Sequence, residues 1–130
     1  MCNFANDNKR PIMVKDKVAY WTLSDMDNRT TLSRNEALGL VRRYKEIISR
    51  RFDTEPRVMM FGSYSKGYAN PDSDIDVAVI VPTYGYRKFE ISMGLWRDTR
   101  EVSFLIEPIL MAEDRWSPLY EDVMLTGIAV

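Results

Sequence analysis

The sequence predicts an α/β (α+β) fold of one small domain, a single sheet with helices packed against it. Three observations point there. Apolar residues recur at helical spacing around residues 37–52 and 89–96. Short runs rich in strand formers alternate with these helices and give the order α-β-α-β-α-β-α. The length of 130 residues is that of one domain, and such a chain can bury a core without disulfides.

The first helix is announced by Ser33-Arg34-Asn35-Glu36, an S-x-x-E capping box. Ala37, Leu40, Val41, Tyr44, Ile47, Ile48 and Phe52 carry its apolar stripe to about residue 52. Arg42, Arg43, Lys45, Arg50 and Arg51 lie on its far side. They read as a solvated face that complements the negative end of the helix dipole, or as a contact surface for a nucleotide or a partner. Pro56 ends the connection, and Arg57–Phe61 is a short strand. After Gly62-Ser63 comes a helix-like segment to Ala69, then the turn Asn70-Pro71-Asp72-Ser73. Asp74–Val81 is the second strand, stopped by Pro82. Arg87 to about Asp98 is a helix, with Phe89, Met93 and Trp96 at i, i+4, i+7 and Ile91 and Leu95 beside them. Those aromatics read as core or rim. Val102–Met111 is the third strand, Ser117-Pro118 opens a last helix that Gly127 follows, and residues 128–130 are an extended scrap. Residues 1–30 read as an N-terminal extension, polar and loop-like over Ser24–Thr31. It is either partly disordered or laid across the body through Tyr20 and Trp21. Residues 31–130 are the domain.

Composition excludes several chemistries. Histidine is absent, which removes Ser-His-Asp and Cys-His catalysis and every histidine-ligated metal. The single cysteine, Cys2, cannot form an internal disulfide, which fits a reducing cytoplasm. The first ten residues contain no apolar segment of the signal-peptide kind, and no apolar run is long enough to cross a bilayer. A net charge of −1 argues against a surface built for duplex nucleic acid or an anionic membrane.

The segment from Gly62 to Ile80 carries the chemistry. In a strand, Asp74 and Asp76 share one face while Ile75, Val77, Val79 and Val81 share the other, which must be core. Two neighbouring carboxylates repel each other and lose hydration at the mouth of an apolar strand. A divalent cation relieves both costs, and all-carboxylate ligation suits Mg²⁺ or Mn²⁺ rather than Zn²⁺. Gly62-Ser63, between a strand and a helix, leaves backbone N–H groups and one hydroxyl free to meet phosphate. Two-metal chemistry usually needs a third carboxylate. Glu107 stands within the apolar run Phe104–Leu110 and reaches the same cluster if its strand neighbours the second one. Glu101 has the same parity but lies at the polar end of that strand. Lys66 and Tyr68 can touch phosphate or base, or simply line an exposed helix face. Pro108 demands an edge strand or an irregularity.

This pattern, G-S-x₁₀-D-x-D followed by a lone carboxylate in a later strand, resembles the nucleotidyltransferase superfamily to which DNA polymerase beta belongs. More narrowly it is similar to the minimal nucleotidyltransferases. Such a motif arises by chance in roughly one chain of this length per several hundred. The resemblance runs from about Ser33 to Val130 and implies a polymerase beta palm-like fold with a small mixed sheet. It implies that Gly62 and Ser63 hold a nucleoside triphosphate, ATP by preference, beside which Lys66 is the further cofactor-binding candidate, and that Asp74, Asp76 and Glu107 hold two Mg²⁺ ions. It further implies a helical HEPN-domain partner, adenylylated on tyrosine in a toxin–antitoxin pair. The superfamily more often has aspartate where this chain has Glu107, and residues 1–30 match nothing in it.

The expected reaction is attack of an acceptor hydroxyl on the α-phosphorus, with pyrophosphate leaving and no protein nucleophile. Two other readings stay open. One is a nucleotide- or partner-binding regulatory subunit with little catalysis. The other is a small-molecule transferase acting on an aminoglycoside-like hydroxyl, with its acceptor held at a homodimer interface.

Overall fold

The computed structural model describes residues 10–14, 17–21 and 31–130. Helix α1 spans Arg34–Ile48 and begins as predicted: Ser33 Oγ accepts from the Glu36 amide (3.0 Å), and Glu36 Oε1 accepts from the Ser33 amide (2.8 Å). Ala37, Leu38, Val41, Tyr44, Ile47 and Ile48 form its buried stripe. The helix stops four residues short of the expected end and continues as a 3-10 turn, Ser49–Arg51. There the Ser49 hydroxyl donates to the Lys45 carbonyl (2.6 Å), the kind of side-chain bond that competes with a helical ladder.

Four strands form the main sheet: β3 (Arg57–Phe61), β4 (Ile75–Val81), β5 (Ile106–Ala112) and β6 (Ile128–Ala129), in the order β5-β4-β3-β6. β3 is antiparallel to β4 and β6, while β4 and β5 run parallel. A parallel pair needs a crossover, and helix α3 (Lys88–Asp98) provides it. The short helix α2 (Ser63–Lys66) lies between β3 and β4. β5 is an edge strand, as Pro108 requires. It starts at Ile106 rather than at residue 102. Residues 99–101 form a 3-10 turn, and Ser103 Oγ accepts from the Leu105 amide (3.1 Å), so the chain is still turning there. The terminal scrap is the strand β6.

The two faces of the sheet carry separate cores. Val58, Met60, Ile75, Val77, Val79, Val81, Ile106 and Leu110 pack with α1 and with Leu95 of α3. Each fully buried side chain of this size contributes roughly 1.5–3 kcal/mol. On the other face, Met59, Phe61, Ala78, Ile80 and Met111 meet Val123, Tyr120 and Met124 of helix α4 (Pro118–Thr126). Its start is the predicted one, with Ser117 Oγ accepting from the Tyr120 amide (3.0 Å) and proline at the first position.

Helix α3 corrects the expected facing of its aromatics. Phe89, Met93 and Trp96 are 77%, 46% and 47% exposed, whereas Gly94, Leu95 and Asp98 are buried. Polar anchoring turns the helix this way. Arg51 donates through Nε and Nη2 to the two Asp98 oxygens (2.6 and 2.9 Å), and the Tyr44 hydroxyl donates to the Leu95 carbonyl (2.7 Å). Gly94 makes room for the guanidinium, since a Cβ there would lie 2.6 Å from Arg51 Nη1.

Within the expected N-terminal extension, β1 (Arg10–Val14) and β2 (Lys17–Trp21) pair antiparallel, Arg10 opposite Trp21. These strands correct the expectation of an extension without regular structure; Val18, Tyr20 and Trp21 are strand formers. The loop expected after it lies, up to residue 30, outside the described residues. Among the described residues no helix is long and apolar enough to cross a membrane.

Asp98→Ala leaves Arg51 facing Tyr44 without its partner. A loss of about 2 kcal/mol is expected, below the cost of breaking a fully buried pair because Arg51 is partly exposed. It will read as a lower urea midpoint at unchanged slope.

Candidate active site

The register of the sheet brings the predicted carboxylates together. Asp76 stands opposite Phe61 of β3 on one side and opposite Glu107 of β5 on the other. Asp74 precedes β4 by one residue, at the end of a turn the sequence dictates: Asn70 Oδ1 accepts from the Asp72 amide (2.8 Å), and Ser73 Oγ accepts from the Asn70 amide (2.9 Å). The Ile75 amide donates to the Leu105 carbonyl (2.7 Å), so the start of β4 is tied directly to the start of β5. Glu101, ranked behind Glu107, lies in the 3-10 turn before β5.

The electrostatics match this crowding. Hydrogen bonding toward Asp74, then partial burial, then the charges of Asp74 and Asp76 push the Glu107 carboxyl up to about 7. Burial, followed by the charge of Asp74, raises the half-buried Asp76 above its ordinary value. Three carboxyls thus compete for one space, and bringing in cationic charge is the direct relief. Among the described residues no three acidic, His or Cys side chains already form a closed metal cage. The all-oxygen donors of the cluster fit a hard divalent cation, which would draw them together.

Gly62 lies against this cluster. Its backbone is left-handed (φ +76°, ψ −148°), and a Cβ there would run into Asp76 Oδ2 and lie 3.2 Å from Asp76 Cγ. Ser63 opens α2, whose single turn is closed by Gly67, also left-handed at φ +88°. Tyr64 is core. Lys66 donates to Asp122 of α4 (3.0 Å), which holds its ammonium firmly protonated, and Tyr68 is exposed. Reading the sequence missed Asp122 as the partner of Lys66. It also missed Arg34, which donates to the carbonyls of Tyr64 (3.1 Å) and Ser65 (3.0 Å). The available signal for Arg34 was a cation in the first turn of a helix, where the dipole disfavours it.

The sequence matches the nucleotidyltransferase domain family over residues 41–118, more than half of the chain. The chain belongs to that family. Among solved structures it resembles the crystal structure of a protein from Sulfolobus solfataricus provisionally named a nucleotidyltransferase. The TM-score is 0.55 at 20% identity, covering 74% of this chain and 80% of that one, a likeness of fold. A comparison with curated proteins found no match. The protein is a nucleotidyltransferase, from a family that uses nucleoside triphosphates and divalent metal.

Two outcomes are expected here. Gly62→Ala forces a side chain into a glycine-only region and into the Asp76 carboxylate. It should cost roughly 1–3 kcal/mol of stability and abolish metal-dependent nucleotide binding, both measurable by thermal unfolding with and without ligand. Glu107 is raised in the folded state, so its contribution is present below about pH 4.5 and is lost as pH rises toward about 7. The metal-free protein should lose thermal stability across that window, and Glu107→Gln should flatten the decline.

Proposed function

We propose that the protein transfers a nucleoside monophosphate, AMP from ATP by preference, to an acceptor hydroxyl. The observation that supports this most is the facing register of Asp76 and Glu107, with Asp74 one residue ahead of the same strand and Gly62 packed on Asp76. In this reading Asp74, Asp76 and Glu107 hold Mg²⁺. When bound, the metal offsets the charge of the triphosphate and eases loss of the acceptor's proton.

The rest of the task falls to the chain itself. The Gly62-Ser63 backbone and the Ser63 hydroxyl donate to phosphate oxygens, and Lys66, paired with Asp122 at the end of the same turn, adds positive charge when it leaves that partner for phosphate. The half-buried setting of Asp76 strengthens these interactions relative to water. The acceptor oxygen then bonds to the α-phosphorus as the bond to pyrophosphate breaks. No side-chain nucleophile takes part.

A second reading, a partner-binding subunit, draws on α3. Phe89, Met93 and Trp96 form an exposed apolar row on one helix face, with Arg97 and Arg100 also exposed nearby. Such a row suits a helical partner of apolar and acidic character. In the first reading the same face would present that partner's tyrosine, as in a HEPN-type toxin–antitoxin pair. The protein would then act in the cytoplasm.

The test is thermal unfolding with Mg²⁺ and each nucleoside triphosphate in turn, beside the Asp74→Asn, Asp76→Asn double variant. Ligand at a hundred times its Kd stabilises by about 2.7 kcal/mol, so one nucleotide should raise the midpoint in a metal-dependent way that the variant lacks. A folded protein indifferent to every nucleotide would sink the transferase mechanism and leave the partner-binding reading.

A further inference from the structure

We infer that Arg34 is a positioning residue: its guanidinium holds the Gly62–Gly67 turn at its main-chain carbonyls and thereby seats Ser63 and the Asp76 carboxylate. The inference rests on the triphosphate and metal reading of that site.

Arg34 is not needed where it stands. The first turn of α1 is already satisfied by the Ser33–Glu36 capping box, and a cation there faces the positive end of the helix dipole. Its bonds lie elsewhere in the fold. Nε donates to the Tyr64 carbonyl and Nη2 to the Ser65 carbonyl, at 3.1 and 3.0 Å, two consecutive residues of α2. A rigid planar fork suits two acceptors in fixed relation, and lysine has no such fork.

The turn it holds cannot hold itself. α2 has four residues, far below the length at which a helix is stable alone. Its own ladder serves the carbonyls of Gly62, which accepts from Ser65 and Lys66, and of Ser63, which accepts from Gly67 and Tyr68. The next two carbonyls, Tyr64 and Ser65, are those Arg34 takes. Gly67 closes the turn beside the guanidinium, where a Cβ would stand 3.6 Å from Nη2.

Displacement of this turn reaches the carboxylates directly. Gly62 is packed so tightly on Asp76 that there is no room for one added carbon. Any shift of the turn therefore moves either Asp76 or the space it occupies. The far end of the turn is tied to α4 by Lys66 and Asp122, so Arg34 and Asp122 brace it from two elements. Arg34 acts through main chain rather than on substrate.

The experiment measures binding of Mg²⁺-tripolyphosphate, which carries neither base nor acceptor, to the full chain by calorimetry. Arg34→Gln, Arg34→Lys and Arg42→Gln are compared with the parent protein, each with its thermal midpoint. Arg42 is exposed on the same helix and controls for the loss of one charge. Arg34→Gln should bind roughly tenfold more weakly, as expected for loss of two charge-assisted bonds that order the site. Arg34→Lys should recover part of that, and Arg42→Gln should match the parent. Unchanged affinity in Arg34→Gln overturns this inference and leaves the triphosphate reading intact, as does an equal loss in Arg42→Gln. If Arg34→Gln does not fold, Arg34→Lys decides: weaker binding by about threefold supports positioning, and parental affinity overturns it. A parent protein that binds no Mg²⁺-tripolyphosphate overturns both readings together.

Discussion

The parallel pairing of β4 with β5 is the constraint on which the rest of the site depends. It sets Asp76 beside Glu107, and the bond from the Ile75 amide to Leu105 ties the ends of these strands at the point where Asp74 emerges. Parallel strands cannot be joined by a tight turn, so α3 must cross the sheet between them. The packing of α3 is therefore part of how the carboxylates meet. Its seating depends on polar bonds, Arg51 to Asp98 and Tyr44 to the Leu95 carbonyl, as well as on Leu95 in the core. This is why the apolar row Phe89, Met93 and Trp96 faces outward.

The two faces of the sheet divide the labour. The face carrying Ile75, Val77, Val79 and Val81 is filled by α1 and α3 and holds the larger cluster of buried side chains. The other is covered by α4 over Met59, Phe61, Ala78, Ile80 and Met111, and at the end of that face stand the carboxylates. Alternation along β4 makes both outcomes follow from one strand, because successive residues point to opposite faces. The carboxylates lie on the face opposite the larger core, so a conservative change at Asp76 need not disturb the side chains that α1 and α3 bury.

Most of the site was legible because it is local. The capping box, the N1 proline of α4, the glycine-serine turn and the two aspartates at the mouth of β4 are all properties of a few adjacent residues. Glu107 was legible as a charge out of place in an apolar run. What escaped reading is long-range: Arg34 to α2 spans about thirty positions, Lys66 to Asp122 fifty-six, and Arg51 to Asp98 forty-seven. A side chain's partner across such distances is set by packing, and an arginine on a helix face has the same local pattern whether it meets water or a buried carboxylate. The facing of α3 failed for the same reason, since periodicity shows a row without saying which row turns inward when buried polar bonds compete with it.

The sequence by itself determined the order of helices and strands from α1 to α4, the residues of the sheet's core face, the absence of histidine chemistry and the family pattern from Gly62 to Asp76. Those follow from spacing and side-chain type, which chain order preserves. Only the tertiary structure decided that β5 lies parallel beside β4, which lets Glu107 join Asp74 and raises its affinity for a proton. It alone showed that Gly62 is packed against Asp76 and that Arg34 reaches across to the turn between them. These are consequences of strand neighbours and helix seating, where interactions remote in sequence settle the outcome together.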